Sequence, residues 1–276
     1  MIFRFYEEET AMSLETPTIL KKILARKQQE IIEHSALISQ SELIEKITLA
    51  SSPRGFADAI SAKIESGEAA VVAEIKRASP SKGVICQDFD PESIAKSYQL
   101  GGACCLSVLT DVDFFQGSNE YLKLARKACQ LPVIRKDFII DEYQIYEARA
   151  MEADCILLIV SALSAESLSK LHELALSLGM DVLIEVHNEQ ELDLALPLNN
   201  SIIGINNRNL HTFDVSLENT LGLLDKIPRS TIVVTESGIH SQSDVRLMRR
   251  KNVNGFLVGE AFMRTPNPGL KLQEMF

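Results

Sequence analysis

Cysteine pairs, long apolar runs and an excess of positive charge are all missing from this sequence, and each absence removes a class of function. The five cysteines, Cys86, Cys104, Cys105, Cys129 and Cys155, include no CxxC pair, which argues against a cysteine zinc site or a dithiol redox centre. All but Cys86 lie in or beside apolar runs, where small buried thiols are expected, reduced as in a cytoplasm. No stretch reaches the roughly eighteen apolar residues that a membrane helix needs. The amino-terminal MIFRFYEEETAMS lacks a cationic start followed by a long apolar stretch, so a soluble, unexported, cytoplasmic protein is expected. Lys plus Arg number 28 against 38 Asp plus Glu, a formal charge of −10. Nucleic acid and membrane are therefore not expected partners, and any phosphate must be held locally.

Absent motifs narrow the chemistry further. No GxGxxG follows the first strand-like run, which weakens a dinucleotide-binding reading. The histidines, His34, His172, His187, His211 and His240, are scattered without HxH or HExxH spacing, so no metal is expected. Most of them are expected on the surface or in loops. GxSxG and the P-loop are missing too, and no Ser-, Gly- or Pro-rich linker divides the chain.

What is there is a helical opening followed by regularly spaced apolar runs. From Pro17, Ile19, Leu20, Ile23, Leu24, Ile31 and Ile32 recur at helical spacing with Lys and Glu between, and shorter helical stretches follow over 42–49 and 56–64. Residues 1–16 are expected to be a disordered leader, with Met12 an alternative start. Eight β-branched runs then appear at Val71–Ile75, Cys104–Leu109, Pro132–Arg135, Cys155–Val160, Val182–Val186, Ser201–Ile205, Thr231–Thr235 and Gly255–Val258. Their continuous hydrophobicity suits parallel strands covered on both faces. Asp90 before Pro91, Ser164 and Ser241 are expected to cap helices between them. Eight such units in this length match a (β/α)8 barrel. The expected domain spans 17–276, with a helical extension over about 17–68.

In such a barrel the chemistry gathers at the carboxyl ends of the strands. Glu74 and Lys76 are two apart at the end of the first run and share a side of it; a structural ion pair is the alternative. In PVIRKDF, Ile134, Lys136 and Phe138 share one face while Arg135 and Asp137 share the other. If that first face is interior, desolvation should disfavour the Lys136 ammonium and make it a better proton donor near neutrality; a solvated strand-end charge is the alternative. Glu185, inside the apolar DVLIEV, is costly unless paired or used, and a base of raised pKa is the natural use. Asn206 and Arg208 share a face and suit a substrate carboxylate or hydroxyl. Glycines follow closely after the seventh and eighth runs, in TESGI and LVGEA, where barrels commonly hold phosphate on backbone amides.

Taken in order, EIKRASPSKG, FFQGS, IRKDFI, IEVH, GINNRNL, TESGI and FLVGEAFM closely resemble indole-3-glycerol phosphate synthase, from about Pro17 to the end. The resemblance implies ring closure of 1-(2-carboxyphenylamino)-1-deoxyribulose 5-phosphate with loss of carbon dioxide and water, and an amino-terminal extension over the barrel mouth. It makes Lys136 the acid at the ribulose carbonyl and gives Glu185 and Lys76 acid/base roles in dehydration. Glu74, Asn206 and Arg208 would orient reacting groups. Phe115, Phe138, Leu157 and Leu210 would wall the aromatic ring, although core residues look the same in sequence. Ser79, Ser237, Gly238, Gly259 and Glu260 would hold phosphate. At the last position some relatives carry serine, and a carboxylate there would repel phosphate unless it turns away. No cofactor, metal or covalent intermediate is implied. The chain is read as monofunctional, acting on a small molecule, with a monomer as the working expectation. The rivals are a phosphosugar isomerase, which would not need Lys136, Glu185, Asn206 and Arg208 together, and a binding scaffold, which would have lost a proton-transfer group.

Overall fold

A computed structural model describes residues 17–276; the expected leader lies outside the described residues. Its first strand is β1 (Ala70–Ile75), followed by a short antiparallel ribbon of β2 (Ala78–Ser79) and β3 (Gly83–Val84). Then come β4 (Cys105–Leu109), β5 (Val133–Lys136), β6 (Cys155–Ile159), β7 (Asp181–Val186), β8 (Ile202–Asn206), β9 (Ile232–Glu236) and β10 (Gly255–Val258). Every pair in the barrel is parallel, and β1 closes it by bonding both β4 and β10. The strands fall within a residue or so of the apolar runs. The ribbon is the exception, because SPSKG carries turn residues and no apolar run to announce a strand.

Period-two alternation separates two cores. On β7, Val182, Ile184 and Val186 face the helices, whereas Leu183 belongs to the barrel interior. On β5, Val133 faces out and Ile134 faces in. By the same alternation Lys136, Glu185 and, on β9 beyond Val234, Glu236 continue inward rows to the carboxyl rim.

The outer helices start where capping side chains stand. Asp90 accepts from the Glu92 amide ahead of the helix Pro91–Gly101, Ser164 from that of Ser167 ahead of the helix Ala165–Ser177, and Ser241 from that of Asp244 ahead of the helix Gln242–Arg250. The extension forms α1 (Thr18–Leu37), α2 (Gln40–Leu49) and α3 (Phe56–Glu65). Only α1 reaches the active end, through Lys27. The third helix closes the opposite end: Phe56 and Ile60 are fully buried in the interior cluster, and the Phe56 and Ala57 amides donate to Asp181 at the start of β7 at 2.7 and 2.9 Å. The expectation that the extension packs over the mouth therefore applies to α1 alone. All five cysteines are free, four of them buried. No helix among the described residues is long and apolar enough to cross a membrane.

Candidate active site

At the carboxyl rim the inward rows bring Lys136, Glu185 and Glu236 together from three strands. Lys136 Nζ lies 2.9 Å from Glu185 Oε2 and 3.0 Å from Glu236 Oε2. Both carboxylates are nearly inaccessible, at 3 % and 2 % exposure. Asn206 Nδ2 donates to Glu185 Oε1 at 3.1 Å, and the Arg208 amide donates to Asn206 Oδ1 at 3.0 Å. Lys76 donates to Glu74 in an adjacent ion pair. His187 stands 3.3 Å from Glu185 Oε1 through Nε2 and 3.0 Å from Glu191 through Nδ1.

The electrostatics correct two expectations. Burial alone would lower the Lys136 pKa, but Glu185, Glu236 and Glu74 outweigh it and raise it above the ordinary lysine value. Lys136 is thus a permanently charged donor, where a weakened ammonium had been expected. For Glu185, burial pushes the pKa up, but Lys136 and His187 win and hold the carboxyl below its usual range. The carboxyl of raised pKa is Glu236: burial first, then repulsion from Glu185 and Glu74, exceed the attraction of Lys136 and push it up to about 7. Glu185 and Glu236 share the Lys136 ammonium, and the proton settles on Glu236, the one with fewer partners. Glu236 Oε1 has no hydrogen-bond partner at all.

Sequence reading takes Glu236 only as part of TESGI. The available signal is the alternation Ile232, Val234, Glu236, which extends an interior row to a carboxylate. A second is Gly204, opposite Val234 in register. A Cβ on Gly204 would stand 2.3 Å from Glu236 Oε1, so the glycine is the space into which that carboxyl folds. His187 is likewise enclosed and charged, its pKa raised to about 10 because Glu185 and Glu191 outweigh burial. His172 departs from the surface expectation: it is 5 % exposed and bonded to Asn200 at 3.0 Å.

Beside this cluster is a cavity of about 80 Å³, lined by Glu74, Lys76, Arg208, Glu236 and the loops 237–240 and 257–261. Ser237 and Gly238 both take positive φ, 63° and 85°, in a turn that aims backbone toward it. Gly259 has Glu74 Oε2 2.2 Å from where a Cβ would stand, so any side chain there would expel the carboxylate. Glu260 accepts from Arg264 at 2.8 and 3.1 Å and lies 4.0 Å from Lys82, so its charge is engaged along its own short helix, Glu260–Met263. Ser79 sits half-buried in the ribbon, outside the residues that line this cavity. Phe115 and Phe138 come together, ring centroids 6.0 Å apart at 38°. Leu157 is an interior residue at 2 % exposure in the cluster against which Phe138 packs, and Leu210 is half-buried in the loop after β8. Among the described residues no group of three or more His, Cys, Asp or Glu is arranged to hold a metal ion.

A closed (β/α)8 barrel with charged side chains gathered at its carboxyl rim and glycine-bearing loops after its last two strands has the layout of a barrel enzyme whose chemistry sits at that rim. Solved structures share the fold. KGPDC from Streptococcus mutans matches at TM-score 0.58 and 12 % identity over 75 % of this chain and 96 % of its own. Tryptophan synthase subunit alpha from Legionella pneumophila str. Paris matches at 0.58 and 13 % over 82 % and 97 %. Thiamine phosphate pyrophosphorylase from Pyrococcus furiosus matches at 0.56 and 18 % over 75 % and 93 %. The particular family comes from sequence: the model for indole-3-glycerol phosphate synthase matches residues 20–275, and the chain belongs to that family. The activity is that of a carboxy-lyase of tryptophan biosynthesis, EC 4.1.1.48, converting 1-(2-carboxyphenylamino)-1-deoxyribulose 5-phosphate to indole-3-glycerol phosphate.

Proposed function

We propose that Lys136, shared between Glu185 and Glu236, is the proton donor of ring closure, and that this shared ammonium is the observation on which the reading rests. As the aromatic carbon bearing the carboxylate attacks the ribulose carbonyl, the new C–C bond forms and the carbonyl electron pair moves to oxygen. A permanently charged donor is suited to that developing oxyanion. Lys136 gives it a proton and is refilled from Glu236, 3.0 Å away, whose carboxyl exchanges its proton near neutrality. Carbon dioxide then leaves with its bonding electrons returned to the ring, which restores aromaticity.

In the second half, Lys76 protonates the departing hydroxyl. Glu185, held ionised by Lys136 and His187, takes the proton from the adjacent methylene carbon, so that water is lost and the pyrrole double bond forms. Glu74, Asn206 and Arg208 orient these groups. The phosphate rests on backbone of Ser237, Gly238, Gly259 and Glu260, and Ser79, outside the cavity lining in the ribbon, is the remaining proposed contact. Phe115, Phe138, Leu157 and Leu210 enclose the aromatic ring. We read the enzyme as a cytoplasmic monomer without cofactor: its free cysteines suit a reducing compartment, and every residue given a role here comes from one chain. Fluorescence-detected indole-3-glycerol phosphate formation by wild type and Lys136→Ala, with no metal or cofactor added, tests the reading. Turnover that collapses in a folded variant supports it, and an inactive folded wild type refutes it.

A further inference from the structure

Lys27, on α1, is only 2 % exposed, a position that an ammonium tolerates only with close partners. Its Nζ is 2.8 Å from Asp111 Oδ2, 2.8 Å from Asp137 Oδ1 and 2.7 Å from Glu30 Oε2. The two aspartates come from different βα loops. Asp111 lies just beyond β4, and Asp137 follows Lys136 directly.

Each aspartate also holds the backbone of an aromatic residue. Asp111 Oδ1 accepts from the amides of Phe114 at 2.8 Å and Phe115 at 3.2 Å. Asp137 Oδ1 accepts from the amide of Phe138 at 2.8 Å. Phe115 and Phe138 are the residues whose rings face each other at 6.0 Å. One residue earlier on α1, Arg26 Nε reaches Asp113 Oδ2 at 2.5 Å, so the first loop is gripped twice by the same helix. Without the ammonium, two carboxylates within reach of one nitrogen would repel and draw their loops apart.

We propose that Lys27 is a positioning residue for the aromatic half of the substrate: through Asp111 and Asp137 it sets the separation of Phe115 and Phe138. The amino-terminal helix is then part of the binding site without touching the ligand. This inference rests on the reading of Phe115 and Phe138 as walls for the carboxyphenylamino ring.

The test uses the full chain with Lys27→Met, the conservative Lys27→Arg, and the charge-balanced pair Lys27→Met with Asp111→Asn should the first fail to fold. Amide hydrogen exchange at Phe114, Phe115 and Phe138 is expected to rise about tenfold in Lys27→Met while Gly238 and Ile239 stay within about twofold. KM should rise about tenfold with kcat within about threefold, the pattern of lost binding without lost chemistry, and Lys27→Arg should restore most of the difference. Unchanged exchange at the three amides would overturn the proposal, as would a uniform rise across the barrel or a fall in kcat with KM unaltered. A wild type that does not turn over the substrate would refute the reading of the site, and the exchange result alone would then decide whether Lys27 ties the two walls.

Discussion

Asp137 and Glu236 are both buried beside Lys136, one next to it in the chain and one across the barrel, yet they are in opposite electrostatic states. Asp137 is ion-paired with Lys27 at 2.8 Å and accepts from the Phe138 amide at 2.8 Å, from the Thr110 hydroxyl at 2.5 Å and from Arg135 at 3.4 Å. Burial would raise its pKa, but Lys27 and Arg135 prevail and lower it. Glu236 has Lys136 on one oxygen and nothing on the other, and its pKa rises to about 7. A saturated carboxylate is fixed charge that builds structure, whereas an under-bonded one keeps a proton it can give away. Strand β5 separates the two, with Arg135 and Asp137 on its outer face and Lys136 on its inner one.

The sharpest break in this comparison is Lys136→Ala, expected to lower kcat by about 10³-fold, within the range for removing a positioned proton donor, while circular dichroism shows an intact fold. Glu236→Gln should lower kcat by roughly 10²-fold without loss of stability. A carboxyl whose folded pKa is raised stabilises the fold below its ordinary value near 4.5, and that contribution is lost as pH rises through about 7. The glutamine variant should therefore unfold at pH 8 at a temperature no lower than wild type. Asp137→Asn should do the reverse. It breaks a buried pair and is expected to cost about 3 kcal/mol in denaturant unfolding, with kcat changed only a few-fold.

Glu147 gives a smaller effect in the outer cluster. Arg135 and His34 outweigh burial and lower its pKa to about 2. Its contribution is present above the ordinary value near 4.5 and is lost as pH falls toward 2. Stability of Glu147→Gln should accordingly fall less steeply than that of wild type over this window. The smallest expected change is Glu260→Ser: with its carboxylate engaged by Arg264, KM should shift by no more than a few-fold, as for a partly screened charge.

The inner half of this comparison is partly legible in the amino-acid sequence, and the outer half hardly at all. Apolar runs with capping residues before the helices specify eight βα units, and two-residue spacing assigns Lys136 and Asp137 to opposite faces of one strand. Spacing along a strand says nothing about distance across the barrel. The signs of the Lys136 and Glu185 shifts depend on neighbours from β7 and β9, so the expectation of a weakened ammonium and a strengthened base is reversed on closure. Glu236 could have been found by applying to TIVVTE the alternation applied to PVIRKDF. Lys27 leaves a partial signal, since three residues after Leu24 and four before Ile31 it falls on the apolar stripe of α1, but nothing in the spacing names its partners. Only the approach of α1 to the loops after β4 and β5 makes it a buried hub.

The most direct test of the central claim is the pH dependence of kcat/KM for wild type and Glu236→Gln between pH 5 and 9. The wild type should lose activity as pH rises through about 7, where Glu236 gives up its proton and Lys136 does not titrate, and the variant should show a low, flat profile over the same window. An alkaline limb that persists unchanged in Glu236→Gln would contradict the account.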